Sequence, residues 1–339
     1  MIGCQEGVMS FKEAQHYLKK GDTVECQLCP HRCHIHEGKS GICGVRENKK
    51  GVLYSSIYGE VTSMAMDPVE KKPLYHFYPG SQIFSIGTKG CNLRCPFCQN
   101  WSISQDLSVR SSYRSPEEIV KMALSEGSVG VAYTYNEPTI WFEYVKDCSL
   151  AAKEKGLKNV LVSNGFVNPE PLDELTGFID AMNIDLKCYN HDTYKKVMKA
   201  DLDAVKNTIK RAHDNGCFVE ITTLVVTGIN DNMDELIELA EFIASVDRKI
   251  PWHLSRYYPS YKYSKPATDV SFLSDIWEAG SQILDYVFTG NVHPSDSHSD
   301  TVCPECHTVI ISRNGYHTVI KELENGKCKS CGHELGIIH

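Results

Sequence analysis

At 339 residues, 42% hydrophobic and 23% charged, the chain is long enough for one large domain with smaller appendages. Its formal net charge is −8 and its pI about 6.0, and no run of five or six basic residues stands out, so the sequence shows no strong nucleic-acid footprint and a nucleic-acid partner is only weakly indicated. Neither a signal-like apolar core in the first residues nor an apolar run of about 18 residues is present, which predicts no membrane span and a cytoplasmic location.

Fifteen cysteines are many for such a chain. Disulfide-stapled secreted proteins are short and carry a signal peptide, whereas clustered cysteines in a reducing compartment hold metal. Residues 1–50 read as an N-terminal metal-binding segment carrying Cys26, Cys29, Cys33 and Cys43, spaced C-x2-C-x3-C-x9-C. Four thiolates suffice for zinc, and equally for a second iron–sulfur cluster that relays electrons. The spacing is not the C-x2-C-x2-C-x3-C run of ferredoxins. His31, His34 and His36 lie among these cysteines and are able to replace one of them.

Residues 51–80 read as a connecting segment. From 81 to 292, short apolar runs alternate with helical patterns. The runs are "QIFSIG" from Gln82, "SVGVAYT" from Ser128, "NVLVSN" from Asn159, "AMNID" from Ala181, "FVEITTLVV" from Phe218, "WHLSRYY" from Trp252 and "YVFTG" from Tyr286. Continuous apolar runs suit parallel strands buried on both faces. Ser115-Pro116-Glu117-Glu118 is a capping box with proline at the first helical position, and Asn232 offers a similar start ahead of Glu235. Strand and helix alternate for about six units, fewer than the eight units and about 250 residues of a closed barrel. The fold class is therefore α/β, an open, partial (β/α)6 TIM-like barrel.

After a polar linker, "NVHPSDSHSDT", residues 301–339 hold Cys303, Cys306, Cys328 and Cys331, spaced C-x2-C-x21-C-x2-C. This is a zinc-ribbon pattern, with a rubredoxin-like iron site as the competing reading. A hairpin is expected to turn at Asn314-Gly315. The remaining cysteines, Cys4, Cys148, Cys188 and Cys217, read as small buried apolar side chains.

The third group, Cys91, Cys95 and Cys98, has the spacing C-x3-C-x2-C and no close fourth member. A structural zinc site wants four ligands. Three thiolates instead hold three irons of a [4Fe-4S] cluster and leave the fourth iron open to another molecule. The bland reading is a loop that packs, or that binds zinc with a distant histidine. The loop follows the first barrel strand at its carboxyl end, where such folds place their active sites.

This loop in this context resembles the radical S-adenosylmethionine (radical SAM) superfamily. The resemblance implies that SAM chelates the open iron, that a reduced cluster cleaves it to a 5′-deoxyadenosyl radical, and that the radical abstracts hydrogen from a target. A low-potential electron donor is implied. "CNLRCPFCQN" is similar to the loop of glycyl-radical-enzyme activases such as the pyruvate formate-lyase activase. That likeness puts Phe97 near the SAM adenine, Asp185 of "DLK" on the ribose hydroxyls, Lys187 on the carboxylate and His253 near the adenine. "VVTGIND" from Val225 resembles the activase stretch after the fifth strand. Where activases carry Gly-Gly-Glu, this chain has Asn136-Glu137-Pro138-Thr139, so Glu137 or Asn136 is the candidate acceptor for the SAM ammonium; the plainer reading is a helix cap. "CQLCPHRCHIHEGKSGICGVREN", "DPVEKKPLYHFYPGS" and "YTYNEPTI" further resemble AmmeMemoRadiSam-type radical SAM proteins over most of residues 20–290. The implied function is a glycyl-radical-enzyme activase. The alternative is radical modification of RNA or a small molecule with AMMECR-type and Memo-type partners.

Overall fold

The computed structural model describes residues 11–339; Cys4 lies outside the described residues. Seven parallel strands build the central sheet: β1 (Gln82–Gly87), β2 (Gly130–Tyr133), β3 (Lys158–Ser163), β4 (Ala181–Asp185), β5 (Phe218–Val225), β6 (Trp252–Arg256) and β7 (Val287–Gly290). They stand side by side in chain order, as successive strand–helix–strand crossovers dictate. Six helices make the crossovers: α1 (Pro116–Ser125), α2 (Phe142–Glu154), α3 (Pro169–Thr176), α4 (Leu202–Asp214), α5 (Met233–Asp247) and α6 (Val270–Ser281). The Ser115 capping box is formed at α1, and Asn232 caps α5 by accepting from the Glu235 amide.

The segment expected only to connect does more. Ser63–Pro68 pairs antiparallel with β1 and becomes the first edge of an eight-stranded sheet whose other edge is β7. The two edges are not paired, so the barrel is open. Its half-buried pattern, with proline at the end, hides this strand from a search for apolar runs.

The register fixes what fills the barrel. Ala132, Val160, Ala181 and Phe218 lie in one cross-strand row. With Ile83, Val69, Leu74 and Phe77 they form an apolar plug, buried except for the partly buried Phe218. Glu220 holds that plug in place by accepting from the Tyr75 and His76 amides at 3.0 and 2.8 Å. Farther toward the carboxyl end, the row Asp185–Thr222–His253–Phe288 is mostly polar. The interior is thus closed at one end and chemically equipped at the other.

Two small β modules flank the barrel. At the amino end, Tyr17–Lys20, Thr23–Cys26 and His34–Ile35 form one three-stranded sheet, and Lys12–Glu13, Val52–Ser55 and Arg46–Lys49 another. At the carboxyl end, Thr301–Val302, Val309–Asn314 and His317–Ile320 form a third. The hairpin turns at Gly315-Tyr316, one residue later than expected, because Asn314 still pairs with His317 and Gly315 takes the left-handed φ of +59°. Cys148, Cys188 and Cys217 are buried, as read. Among the described residues, no helix is long and apolar enough to cross a membrane.

Candidate active site

The loop after β1 is built around its cysteines. Gly90, at φ +93°, turns the chain where a Cβ would meet the Cys43 carbonyl at 2.9 Å. The Leu93 amide donates to Cys91 Sγ at 3.3 Å and Asn164 Nδ2 reaches the same sulfur at 3.7 Å. Asn164 also donates to Asn92 Oδ1 at 2.8 Å, and Asn92 Nδ2 to the Phe166 carbonyl at 2.9 Å, which pins the loop to the end of β3. Burial pushes all three thiols up, Cys95 to about 11. They release protons only when a metal takes them.

Cys91, Cys95 and Cys98 open on one cavity of about 710 Å³ inside the barrel. Phe97, Asn136, Glu137, Asp185, Lys187 and His253 line the same cavity, so the structure brings together every residue expected there. Stretches of chain up to about 160 residues apart meet because the cysteine loop, Asn136-Glu137 and Asp185 sit at carboxyl ends of neighbouring strands, while His253, inside β6, is brought level with Asp185 by the register.

Asp185 ends β4 and Lys187 follows it; Lys187 Nζ lies 2.8 Å from Asp185 Oδ2. Burial alone would lower the lysine, but the attraction of Asp185 and of Cys95 outweighs it and holds the ammonium above the ordinary lysine range. The Lys187 amide donates to the Tyr194 hydroxyl at 2.9 Å, and Asn230 of the "VVTGIND" stretch donates to the Lys187 carbonyl. A fixed cation beside a carboxylate at the wall of a cavity is suited to a zwitterionic ligand with hydroxyls.

Asn136 and Glu137 line the cavity, yet their side-chain atoms are engaged elsewhere. Asn136 Oδ1 accepts from the Thr88 amide at 3.1 Å and its Nδ2 donates to the Gly90 carbonyl at 2.8 Å. The Glu137 carboxylate accepts from Ser163 Oγ, the Asn164 amide and the Thr139 amide, at 2.8, 2.8 and 3.0 Å. Burial pushes its carboxyl up while these donors pull it back. The pair braces the cysteine loop against the ends of β1 and β3, and Glu137 caps the short helix Pro138–Trp141. His253 is buried, with Nε2 2.6 Å from Glu220 Oε2 and its ring edge-on to Tyr75 at 4.7 Å.

The cavity floor holds a group that the sequence reading passed over. Lys72 Nζ lies 2.6 Å from Asp67 Oδ2, Lys71 Nζ lies 2.8 Å from Asp67 Oδ1, and the Tyr135 hydroxyl donates to Asp67 Oδ2 at 2.6 Å. Burial pushes Lys72 down to about 8. The one signal for this group was the quoted "DPVEKK", whose charges sit too close together for a plain connector.

Of the other cysteine groups, the C-terminal four come together as a tetrahedral site requires. Cys303 and Cys331 sulfurs are 3.6 Å apart, Cys306 and Cys328 sulfurs are 3.6 Å apart, and all four lie within 4.8 Å of one another. The group is able to hold one metal ion. The N-terminal four line a separate enclosed cavity against the back of the cysteine loop.

The Radical SAM superfamily matches residues 85–243. The chain is 44% identical over 335 residues to Uncharacterized protein MJ0808 of Methanocaldococcus jannaschii, covering 96% of this chain and 99% of that protein. It is 30% identical over 178 residues to a Putative glycyl-radical enzyme activating enzyme, MJ1227, of the same organism, covering 50% of this chain and 72% of that one. Among solved structures, Streptococcus suis SuiB bound to precursor peptide SuiA superposes with a TM-score of 0.51 at 19% identity, over 66% of this chain and 52% of that chain, a likeness of fold.

Proposed function

The chain belongs to the radical SAM superfamily, and on that premise we propose that Cys91, Cys95 and Cys98 hold a [4Fe-4S] cluster beside a SAM-binding cavity and that the enzyme takes hydrogen from a glycine of a partner protein, as an activating enzyme does. When bound, cluster and SAM supply reductive cleavage to a 5′-deoxyadenosyl radical; the protein positions and shields them. The observation that carries the reading is the meeting of the cysteine loop, the Asp185–Lys187 pair and His253 on one cavity. The donor set fits: three thiols on one loop, none of them engaged in a disulfide, beside a fixed cation and a carboxylate. Lys187 receives the SAM carboxylate, Asp185 offers an oxygen to the ribose hydroxyls, and Phe97 and His253 border the adenine. Asn136 and Glu137 line the cavity where the SAM ammonium would lie, with their side chains also bracing the cysteine loop.

The choice of target is supported by the likeness to the activating enzyme MJ1227. A second reading, modification of a small molecule or an RNA nucleoside with AMMECR-type and Memo-type partners, is favoured by the charged floor of Lys71, Lys72 and Asp67, which suits a polar ligand held inside the barrel. In either case a low-potential protein delivers the electron in the cytoplasm, and the ribbon cysteines hold zinc.

Under anaerobic conditions with dithionite and SAM, the chain is expected to form 5′-deoxyadenosine, and Cys95→Ala to form none. A Cys95→Ala protein that still forms it refutes the chemistry. A glycyl doublet in the electron paramagnetic resonance of a partner, followed by cleavage of that partner in oxygen, marks the activase. A mass change in a nucleoside or small molecule without a protein radical marks the second reading.

A further inference from the structure

The N-terminal cysteines and the ribbon cysteines differ in a way that separates a single-ion site from a cluster site. A zinc ion about 2.3 Å from each of four thiolates in a tetrahedron sets its sulfurs about 3.8 Å apart. The ribbon sulfurs, in two pairs at 3.6 Å, meet that requirement. Among the described residues, the ribbon four are the group that gathers three or more ligand atoms within 4.8 Å of one another. Cys26, Cys29, Cys33 and Cys43 therefore stand farther apart, although all four line one enclosed cavity. Cys91, Cys95 and Cys98 likewise do not gather within 4.8 Å of one another. Thiolates that each bind a different iron of a cube must stand apart in this way, because the cube lies between them.

A second observation concerns Arg46, which borders the same cavity. Its side chain is 1% exposed and its Nε has no hydrogen-bond partner. Its Nη1 is paired with Glu143 at 3.0 Å and its Nη2 donates to the Gln15 carbonyl at 2.5 Å, so the guanidinium is fixed. A buried N–H left unpaired is costly. It is satisfied if the cavity holds an anionic group with sulfur acceptors, which a four-thiolate cluster is.

We propose that Cys26, Cys29, Cys33 and Cys43 hold a second [4Fe-4S] cluster, which passes single electrons to the cluster of the Cys91 loop. The two sites adjoin. His31 Nε2 lies 2.8 Å from the Asn92 carbonyl, Asn92 is the chain neighbour of Cys91, and the Cys43 carbonyl lies against Gly90, which precedes it. One electron enters from a low-potential flavodoxin- or ferredoxin-class donor, reduces the second cluster, and leaves it for the first. The relay rests on the function proposed above for the Cys91 loop, whereas the iron content does not.

The test uses the full chain, reconstituted anaerobically with iron and sulfide. The variant Cys91→Ala/Cys95→Ala/Cys98→Ala leaves the N-terminal module untouched. It is expected to retain about four irons and four sulfides per chain, with the Mössbauer doublet of a [4Fe-4S] cluster. Adding Cys29→Ala and Cys33→Ala is expected to remove them. A triple variant that binds zinc at this site, or no iron, overturns the second cluster. If the wild type still forms 5′-deoxyadenosine in that case, the proposed function stands and this inference alone fails. If the triple variant keeps its iron while the wild type never cleaves SAM, the reverse holds.

Discussion

Lys187 and Lys72 are both lysines on the wall of one cavity, paired with aspartates at 2.8 and 2.6 Å, and they are tuned in opposite directions. Around Lys187, Asp185 and Cys95 overcome the effect of burial and the charge is secured. Around Lys72, burial prevails and the proton is held to about 8. The first arrangement suits a permanent charge that meets a carboxylate. Lys187→Ala should weaken SAM binding by about ten- to a hundred-fold, from a loss of roughly 1.5–3 kcal/mol for one charge-assisted hydrogen bond. Equilibrium binding checks this, with iron content unchanged, and normal affinity would place SAM elsewhere. For the second pair, Asp67→Asn removes the carboxylate whose attraction opposes the burial of the Lys72 ammonium. Breaking a buried pair from one side costs about 3–5 kcal/mol, visible as a lower denaturation midpoint. Burial would raise Asp67, but hydrogen bonds from Lys71, Lys72 and Tyr135 hold its carboxyl well below the ordinary range. Its stabilisation is therefore complete above the ordinary aspartate pKa and is lost as pH falls below it, so wild type and Asp67→Asn should converge in acid. Asp185 and Lys187 were legible because they lie two residues apart in a motif. Asp67, Lys72 and Tyr135 were not, because Tyr135 lies 68 residues from Asp67 and only the fold brings them together.

At the scale of elements, strands were legible wherever burial on both faces made them continuous apolar runs. Each parallel strand falls within the run that announced it, except that β3 begins one residue earlier, at Lys158. Ser63–Pro68 was missed because only Asp67 along it is buried, so it shows no such run. Asn136 and Glu137 were read as ligand contacts or a helix cap; the cap is formed by Glu137, but the bracing of the cysteine loop was not legible, because a sequence shows which residue types stand at a strand end, not which backbone groups they meet. The joint between β2 and β3 leaves no room for a side chain at Gly130. A Cβ at Gly130 would lie 2.1 Å from the Lys158 carbonyl, a backbone atom that cannot swing away. Gly130→Ala should thus force the two strands apart at their amino ends, with an overpacking cost of about 1–3 kcal/mol. Thermal unfolding would register it. An unchanged midpoint would mean that the joint has slack that the close approach does not suggest.

At the scale of the whole molecule, the ribbon is docked on the underside of the active cavity. Ile338 pairs with Phe77, its amide donating to the His76 carbonyl at 2.8 Å and its carbonyl accepting from the Tyr78 amide at 2.6 Å. Arg313 is buried against the Tyr75 ring, 4.2 Å from its centroid, and donates to the Tyr75 carbonyl at 2.7 Å. Thr318 donates to Glu70 at 2.8 Å, and Tyr316 at the hairpin tip borders the cavity itself. The segment gripped in this way, from Glu70 to Tyr78, is the one that plugs the barrel and carries Lys72. A metal held at the ribbon would thus act on the floor of the active site from outside the barrel. A module of this size owes its folding to the metal, so Cys303→Ser with Cys328→Ser should lose one bound ion and unfold residues 301–339. If the docking transmits that loss, the amides of Tyr75, His76 and Tyr78 should lose hydrogen-exchange protection along with the ribbon, while the sheet amides of β3 and β4 keep theirs. Iron at the Cys91 loop should remain, because that loop is held from the ends of β1 and β3. Protection lost in the ribbon alone would show that Glu220 and the apolar plug hold the floor without it, and would reduce the ribbon to a passenger.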